Sequence, residues 1–235
     1  MSIERKSAGV WQVSPGKASS DGPATRPRRR NTPRLPLAER REQLLDAALT
    51  VVARAGLAEL TMQAVAKQAG VAKPVLYAVY PTAPELVGAL LRREHARGMA
   101  QVLTALPGDL RGSDPDKEYV TAVMAFLDAV LADPVRWRLI LLHADGAPSD
   151  YRELLADARD RIVSRCIELL ETGFELRGGP VGADVELIGH TMLGFVEVLA
   201  RIVLADPERF PPERLQSTVQ GLVRTLPRSR DGEQA

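Results

Sequence analysis

The segment 61–80, TMQAVAKQAGVAKPVLYAVY, carries two short helical patterns on either side of a glycine. In the first pattern, over 62–69, apolar residues recur every three or four positions, which is the spacing of one helix face. Thr61 before it is a favourable N-cap, and Gly70 after it suits a tight turn. A second short helix follows over about 72–79. The segment therefore predicts two helices joined by a tight turn, the layout of a helix-turn-helix.

The apolar residues of this hairpin are spaced so that they can pack between its two helices. We expect Val65, Ala66, Val71 and Leu76 to meet there, because small side chains let the two backbones approach. This packing would leave the amino-terminal end of the second helix exposed, where a recognition helix meets base edges. A generic helical hairpin shares the same turn, so the segment alone leaves DNA binding open.

A wider set of residues follows the same register across 40–91: Leu45, Ala47, Ala48, Gly56, Thr61, Val65, Ala66, Ala69, Gly70, Val71, Leu76, Tyr77, Tyr80, Glu85 and Leu86. In this register the run resembles the amino-terminal domain of the TetR (tetracycline-repressor) family. The resemblance implies a sequence-specific DNA-binding transcriptional regulator that binds a pseudo-palindromic operator in double-stranded DNA as a homodimer. It further implies a repressor that an unknown small-molecule effector releases from the operator. A regulator that acts as an activator is the alternative, because the sequence does not determine whether transcription is repressed or activated.

The resemblance also implies which residues contact DNA: Thr61, Lys73, Pro74, Val75, Tyr77 and Thr82. Thr61 and Tyr77 would hold phosphates, whereas Lys73, Pro74 and Val75 would face the bases. Thr82 would cap the next helix and touch the DNA backbone. Ala83 replaces a lysine that is common in the family, and Pro74 offers no donor. Base recognition would therefore depend mainly on Lys73.

The charge of the chain is unevenly distributed, although its net value is only +1. Residues 1–36 carry +6, residues 37–100 carry +2, and the remainder carries −7. A basic front and an acidic rear would orient the molecule towards a polyanion. In the first segment, Arg28, Arg29 and Arg30 are candidates for contacts with the minor groove or with phosphates. A solvated tail that does not bind DNA is an equally good interpretation.

The rest of the chain is also predicted to be helical, because no window alternates with a period of two for long enough to form a strand. We expect an all-α fold with an N-terminal three-helix, helix-turn-helix DNA-binding domain and a C-terminal helical ligand-binding and dimerisation domain. The expected divisions are a disordered basic arm (1–36), the DNA-binding domain (37–83, reaching to about 98), the regulatory domain (84–226) and a tail (227–235). Helices are expected at about 37–55, 62–69, 72–79, 84–103, 116–132, 134–143, 149–172, 184–205 and 211–226.

The second domain contains apolar and amphipathic groups that are candidates for an effector pocket. Each of them is also explained by ordinary core packing, and they do not identify the effector. The candidates are Met99, Met124, Phe126, Trp137, Leu141, His143 and Phe174.

The last two predicted helices are candidates for a dimer interface. The helix over 184–205 is apolar on nearly all sides, which is more than one intramolecular face needs. A central helix buried within a monomer is the alternative. The candidate interface residues are Leu187, His190, Thr191, Gly194, Val198, Ile202, Leu215, Val219 and Leu222.

Other classes of function find little support in the sequence. The three histidines lie far apart, and no nucleophile–histidine pattern, phosphate loop or metal-ligand spacing occurs, so we expect no enzyme, cofactor or metal. Cys166 is a lone thiol, which suits the cytoplasm. Charged residues within 187–204 argue against a membrane span. A non-specific architectural or protein-binding helical protein stays as the alternative.

Overall fold

The computed structural model describes residues 35–142, 149–179, 182 and 184–225. Within these ranges the chain is helical and contains no strand, so the expected all-α fold is confirmed. The helices are α1 (Leu37–Ala55), α2 (Met62–Ala69), α3 (Lys73–Tyr77), α4 (Ala83–Ala105), α5 (Pro115–Ala132), α6 (Pro134–Leu142), α7 (Ser149–Arg177), α8 (Val185–Ala205) and α9 (Pro212–Thr225).

Most helix boundaries agree with the sequence pattern within a few residues, but α7 is longer than predicted. The sequence interpretation ends this helix at about 172, because a glycine follows. In the structure Gly173 stays helical and buried, and a side chain there would contact Leu110 and Pro115. The helix ends at Gly178, which has a positive φ of 69°, and Gly179 N–H donates to the Phe174 carbonyl (2.7 Å). Close packing therefore explains the first glycine, and capping explains the second.

Two hydrophobic clusters organise the helices from Pro36 onward, which form one compact unit. The first cluster joins α1, α2, α3 and the first half of α4, and it also takes Leu139 from α6 and Tyr151 from α7. The second cluster joins α5, α6, α8 and α9. Helix α4 extends from the first cluster to Val102 and Ala105, which pack against the second. One helix thus connects the hairpin to the helices behind it.

A fully buried carboxylate, Glu94, lies at the middle of α4. Its oxygens accept from Arg93 Nε (2.9 Å) and from Arg136 Nε of α6 (2.9 Å). Arg93 in turn reaches Asp46 (2.8 Å) and Glu42 (3.1 Å) of α1. Burial disfavours the charged form of Arg93, but the neighbouring carboxylates outweigh it and raise the pKa of Arg93. These charges connect α1, α4 and α6.

Helix α8 has the length and the mean hydropathy (1.7) of a membrane span, although composition alone is weak evidence for one. It packs against α5, α6 and α7 in the described part of the chain. These contacts bury Gly189, Leu199, Ala200, Val203 and Leu204 of α8, whereas Leu187 and Val198 stay exposed.

We predict that Glu94→Ala destabilises the fold by about 3–5 kcal/mol, because it leaves two buried arginines without their shared partner. Urea denaturation followed by circular dichroism measures this. Glu175→Ala, on an exposed position of α7, is the matched control and should change stability by no more than about 0.5 kcal/mol. Equal effects of the two substitutions would contradict the role given to Glu94.

Candidate functional site

The turn of the predicted hairpin has the geometry of a Schellman cap. Gly70 adopts the left-handed conformation (φ 66°, ψ 30°), which a side chain would oppose. Its N–H donates to Lys67 O (3.2 Å), and the Val71 N–H donates to Ala66 O (3.0 Å). These bonds end α2 and turn the chain directly into α3.

The interior of the hairpin is packed as the sequence pattern indicates. Val65 and Leu76 are fully buried, Ala66 is nearly so, and Val71 packs against them in the first hydrophobic cluster. Tyr80 is buried in the same cluster, which agrees with its interpretation as a core residue. Helix α3 is shorter than predicted.

The exposed face of α3 carries the three predicted base-facing side chains. Lys73, Pro74 and Val75 are all exposed, with Val75 at 39%. The Lys73 ammonium donates to Gln63 Oε1 (3.1 Å) on α2. Gln63 is exposed beside Lys73, so the structure adds an amide to this face that the sequence analysis did not single out. Its only signal was its place in the first turn of α2.

Two further predicted DNA contacts lie at helix starts. Thr61 caps α2, since its hydroxyl oxygen accepts from Ala64 N–H (3.1 Å), and within the described residues no acceptor takes the proton of this hydroxyl. Thr82 caps α4 by accepting from Glu85 N–H (3.3 Å), but it also donates to the Glu85 carboxylate (2.9 Å). The structure therefore gives Thr82 its predicted capping role, whereas a phosphate contact would require this bond to break.

Tyr77 completes the exposed face, with 47% of its surface accessible. Its hydroxyl is thus placed for an outside partner, as a phosphate-binding tyrosine would be. Arg28, Arg29 and Arg30 lie outside the described residues. Their predicted contacts stay predictions.

A cavity of about 710 Å³ lies between α4, α5, α6, α7 and α8. Five of the seven residues predicted for an effector pocket line it: Met99, Phe126, Trp137, Leu141 and Phe174. Met124 does not, because it packs into the second hydrophobic cluster from another side of α5, and this assignment is corrected. His143 lies outside the described residues.

The sequence analysis missed the histidine of this cavity. His95, one residue beyond Glu94, lines the cavity and is only 4% exposed, with Tyr151 edge-on at 6.1 Å between ring centroids. Burial, and to a smaller degree the charge of Arg161, lower the pKa of His95. The ring is therefore neutral near pH 7. Nothing in the local sequence distinguishes this histidine from an exposed one.

Charged side chains lie at the two ends of the cavity. At one end Glu197 pairs with Arg159, and Arg201 lies 3.9 Å from the same carboxylate. At the other end Arg177 pairs with Asp116 (3.0 Å). None of these five residues was predicted for the pocket, because the two pairs that join different helices, Arg159 with Glu197 and Arg177 with Asp116, form only in the folded chain.

The predicted dimer residues divide into two groups. Leu215 and Val219 are buried within the protomer (3% and 0% exposed), so they cannot form a dimer contact and are removed from the predicted surface. The others stay predictions, and each keeps exposed or half-buried surface: Leu187, His190, Thr191, Gly194, Val198, Ile202 and Leu222. Leu187 and Thr191 also line the cavity.

Known proteins share both the hairpin and the helical arrangement. The family model described as bacterial regulatory proteins, tetR family, matches residues 44–90. The HTH-type transcriptional activator FasR of Mycolicibacterium smegmatis is 39% identical over 107 residues, which are 46% of this chain and 48% of FasR. The crystal structure of a TetR-like transcriptional regulator from Rhodococcus sp. RHA1 is 28% identical with a TM-score of 0.63, covering 81% of this chain and 97% of that one.

A more distant structure shows the fold alone. The transcriptional regulator FadR from Bacillus subtilis, solved in complex with stearoyl-CoA, is 16% identical with a TM-score of 0.62 and covers 78% of this chain and 97% of FadR. The hairpin and the helical region behind it thus define a helix-turn-helix, DNA-binding transcriptional regulator. Residues 44–90 match the tetR family of bacterial regulatory proteins, and the helical arrangement of the chain is similar to that of a TetR-like transcriptional regulator.

We predict that His95 makes the stability of the fold pH-dependent below about pH 6.5, the usual pKa of histidine. Because the folded pKa lies below that of the unfolded chain, the unfolded chain binds the proton first as the pH falls. The contribution of the neutral ring is therefore complete above about pH 6.5 and is lost as the pH falls through the folded pKa. His95→Phe, which keeps an aromatic ring beside Tyr151, should flatten thermal stability measured from pH 7 to 5. If the thermal stability of His95→Phe fell with pH as steeply as that of the unaltered protein, the role given to His95 would be contradicted.

Proposed function

We propose that this protein is a homodimeric, sequence-specific transcriptional regulator whose DNA binding is controlled by a small molecule. The observation that carries the proposal is the exposed face of α3, where Lys73, Val75 and Tyr77 project beside the capped start of α2. An exposed helix at the second position of such a hairpin fits the major groove.

The contacts proposed on this face follow from the chemistry of its side chains. Lys73, held beside Gln63 at 3.1 Å, reaches acceptors on guanine, and the Gln63 amide offers a donor and an acceptor to a base edge. Val75 contacts a thymine methyl group. Thr61 and Tyr77 bind phosphates and fix the orientation of the hairpin without reading sequence.

Dimerisation through α8 and α9 is supported by apolar side chains that the protomer leaves uncovered. Leu187, Val198 and Leu222 are 64%, 49% and 45% exposed. Exposed large apolar side chains of this kind are typical of an interface. A two-fold dimer presents two α3 helices, so its operator is a pseudo-palindrome with half-sites about one helical turn or slightly more apart.

The cavity supports the regulatory part of the proposal. It lies against α4, the helix that also packs on the hairpin. We propose that the bound molecule changes the affinity for the operator, most simply as a repressor released by its effector. FasR is named an activator, and an activator with the same DNA contacts is the second candidate. Neither candidate involves catalysis, and both act in the cytoplasm.

We predict that Lys73→Ala weakens binding to the preferred operator by about 1–3 kcal/mol and relaxes the base preference. Tyr77→Phe should instead weaken all duplexes to a similar extent, because its hydroxyl is assigned to a phosphate. The operator is first selected from a random duplex pool, and affinities are then measured by fluorescence anisotropy. Lys117→Ala, an exposed lysine on α5, is the control and should have no effect.

Two outcomes of this experiment would contradict the proposal. Intact affinity and preference after Lys73→Ala would show that the base contact is wrong. A ratio of specific to non-specific affinity near one in the unaltered protein would favour an architectural helical protein over a sequence-specific regulator.

We predict that deletion of residues 1–36 lowers operator affinity and flattens its dependence on salt, because this segment carries a charge of +6. Titrations at several salt concentrations measure the slope, which reports the number of phosphate contacts. An unchanged dependence of affinity on salt would show that the arginine segment does not contact DNA.

A further inference from the structure

We propose that the cavity binds a long aliphatic chain with an anionic head group, such as a fatty acid or the coenzyme A thioester of a fatty acid, in which the phosphates of the coenzyme carry the negative charge. The head group lies between Arg159 and Arg201, and the chain extends towards Phe174. This inference rests on the proposed function, since it names the class of the controlling molecule.

The first argument is the length of the cavity. Its lining follows α7 from Leu155 to Arg177 and follows α8 from Leu187 to Arg201. The two helices are antiparallel. Glu197, in the second half of α8, pairs with Arg159 in the first half of α7, whereas Gly189, near the start of α8, packs on Ile167 and Leu170 in the second half of α7. From Arg159 to Phe174 the helix rises about 22 Å. An extended chain advances about 1.2 Å per bond, so this length holds about eighteen bonds and accommodates an acyl chain of about sixteen carbons.

The second argument is the chemistry of the walls between the two ends. They are formed by aliphatic and aromatic side chains, and the polar members there are uncharged near pH 7. Burial raises the pKa of Tyr119 to about 12, and it also raises the pKa of Cys166. A wall of this kind binds an apolar chain and disfavours a polar ligand, whose groups would lose their water without gaining partners. The apolar residues include Met99, Val102, Phe126, Ile162, Leu169 and Met192.

The third argument is the difference between the two charged ends. Arg177 and Asp116 are both largely buried (9% and 16% side-chain exposure) and neutralise each other. At the other end two arginines share a single carboxylate, Glu197, which leaves one positive charge among the residues that the structure describes there. These arginines are 40% and 44% exposed. An anionic head group is therefore favoured at the end with Arg159 and Arg201, where it also keeps contact with water.

Neighbouring groups at this end can bind the head group as well. Arg201 donates to the Leu141 carbonyl at a long 3.5 Å and lies 3.9 Å from Glu197, so neither contact holds it tightly. Trp137, one turn before Leu141, lines the cavity, and its buried indole N–H has no hydrogen-bond partner within the described residues. A carboxylate or acyl oxygen that reaches this N–H would satisfy it.

The test is direct ligand binding to the purified, delipidated full chain, measured by displacement of a fluorescent fatty acid and by native mass spectrometry. The ligands are decanoate, tetradecanoate, hexadecanoate, hexadecanol and hexadecanoyl-coenzyme A. Affinity should rise about three- to fourfold per added methylene. Hexadecanoate should bind about tenfold more tightly than hexadecanol. Comparison of the affinities of hexadecanoate and hexadecanoyl-coenzyme A shows whether the cavity prefers the free fatty acid or the acyl thioester.

Two pairs of variants locate the ligand. Arg201→Gln should weaken hexadecanoate about tenfold and leave hexadecanol unchanged, whereas Arg152→Gln, on an exposed position of α7, should leave both unchanged. Ala122→Phe, which fills the cavity from α5, should weaken hexadecanoate more than decanoate. Ala125→Phe, on the exposed side of the same helix, is its control.

Affinity without dependence on chain length, or no binding of any of these ligands, would overturn the proposal. Equal binding of acid and alcohol, unchanged in Arg201→Gln, would overturn the head-group assignment. Operator selection is performed on the same preparation. Specific DNA binding without lipid binding overturns only the ligand class, whereas lipid binding without specific DNA binding overturns the regulator.

Discussion

The buried carboxylate of Glu94 is the constraint on which the helical arrangement depends. A charge removed from water needs full compensation, and Arg93 and Arg136 supply it, each at 2.9 Å. Since Arg136 belongs to α6 and Arg93 also binds α1, the pairing fixes three helices relative to one another. Their register is set by hydrogen-bond geometry, which tolerates less displacement than apolar packing does.

Helix α4 also contacts the cavity and the cluster that supports the hairpin. His95 lines the cavity. The backbone at Gly98 lies so close to α6 that a Cβ atom added there would lie 2.5 Å from Ile140 Cδ1, which is a clash. Leu86 and Leu90, nearer the start of α4, are fully buried in the cluster that supports the hairpin. A rigid helix that contacts both regions cannot be displaced at one without moving at the other, which makes α4 the physical connection between cavity and hairpin.

The sequence was most informative where function and fold depend on neighbouring residues. The Thr61 cap, the Gly70 turn and the apolar spacing of the hairpin are local, and each is present as expected. The match to the tetR family rests on the same residues. Periodicity was less informative for the second domain, because an apolar face does not say which neighbour covers it. Leu215 and Val219 are therefore in the core, although their pattern also fitted a dimer surface.

Sequence alone thus determined the all-α fold, the hairpin and the residues exposed on α3, because caps, turns and helix periods depend on residues that are close together in the chain. Only the tertiary structure decided where Glu94 finds its arginines, which histidine enters the cavity, and that Arg159, Glu197 and Arg201 share one end of it. Arg136 is 42 residues from Glu94, and Glu197 is 38 residues from Arg159, and each of these pairs joins two different helices. Their pairing is a property of helix packing, which no local pattern encodes.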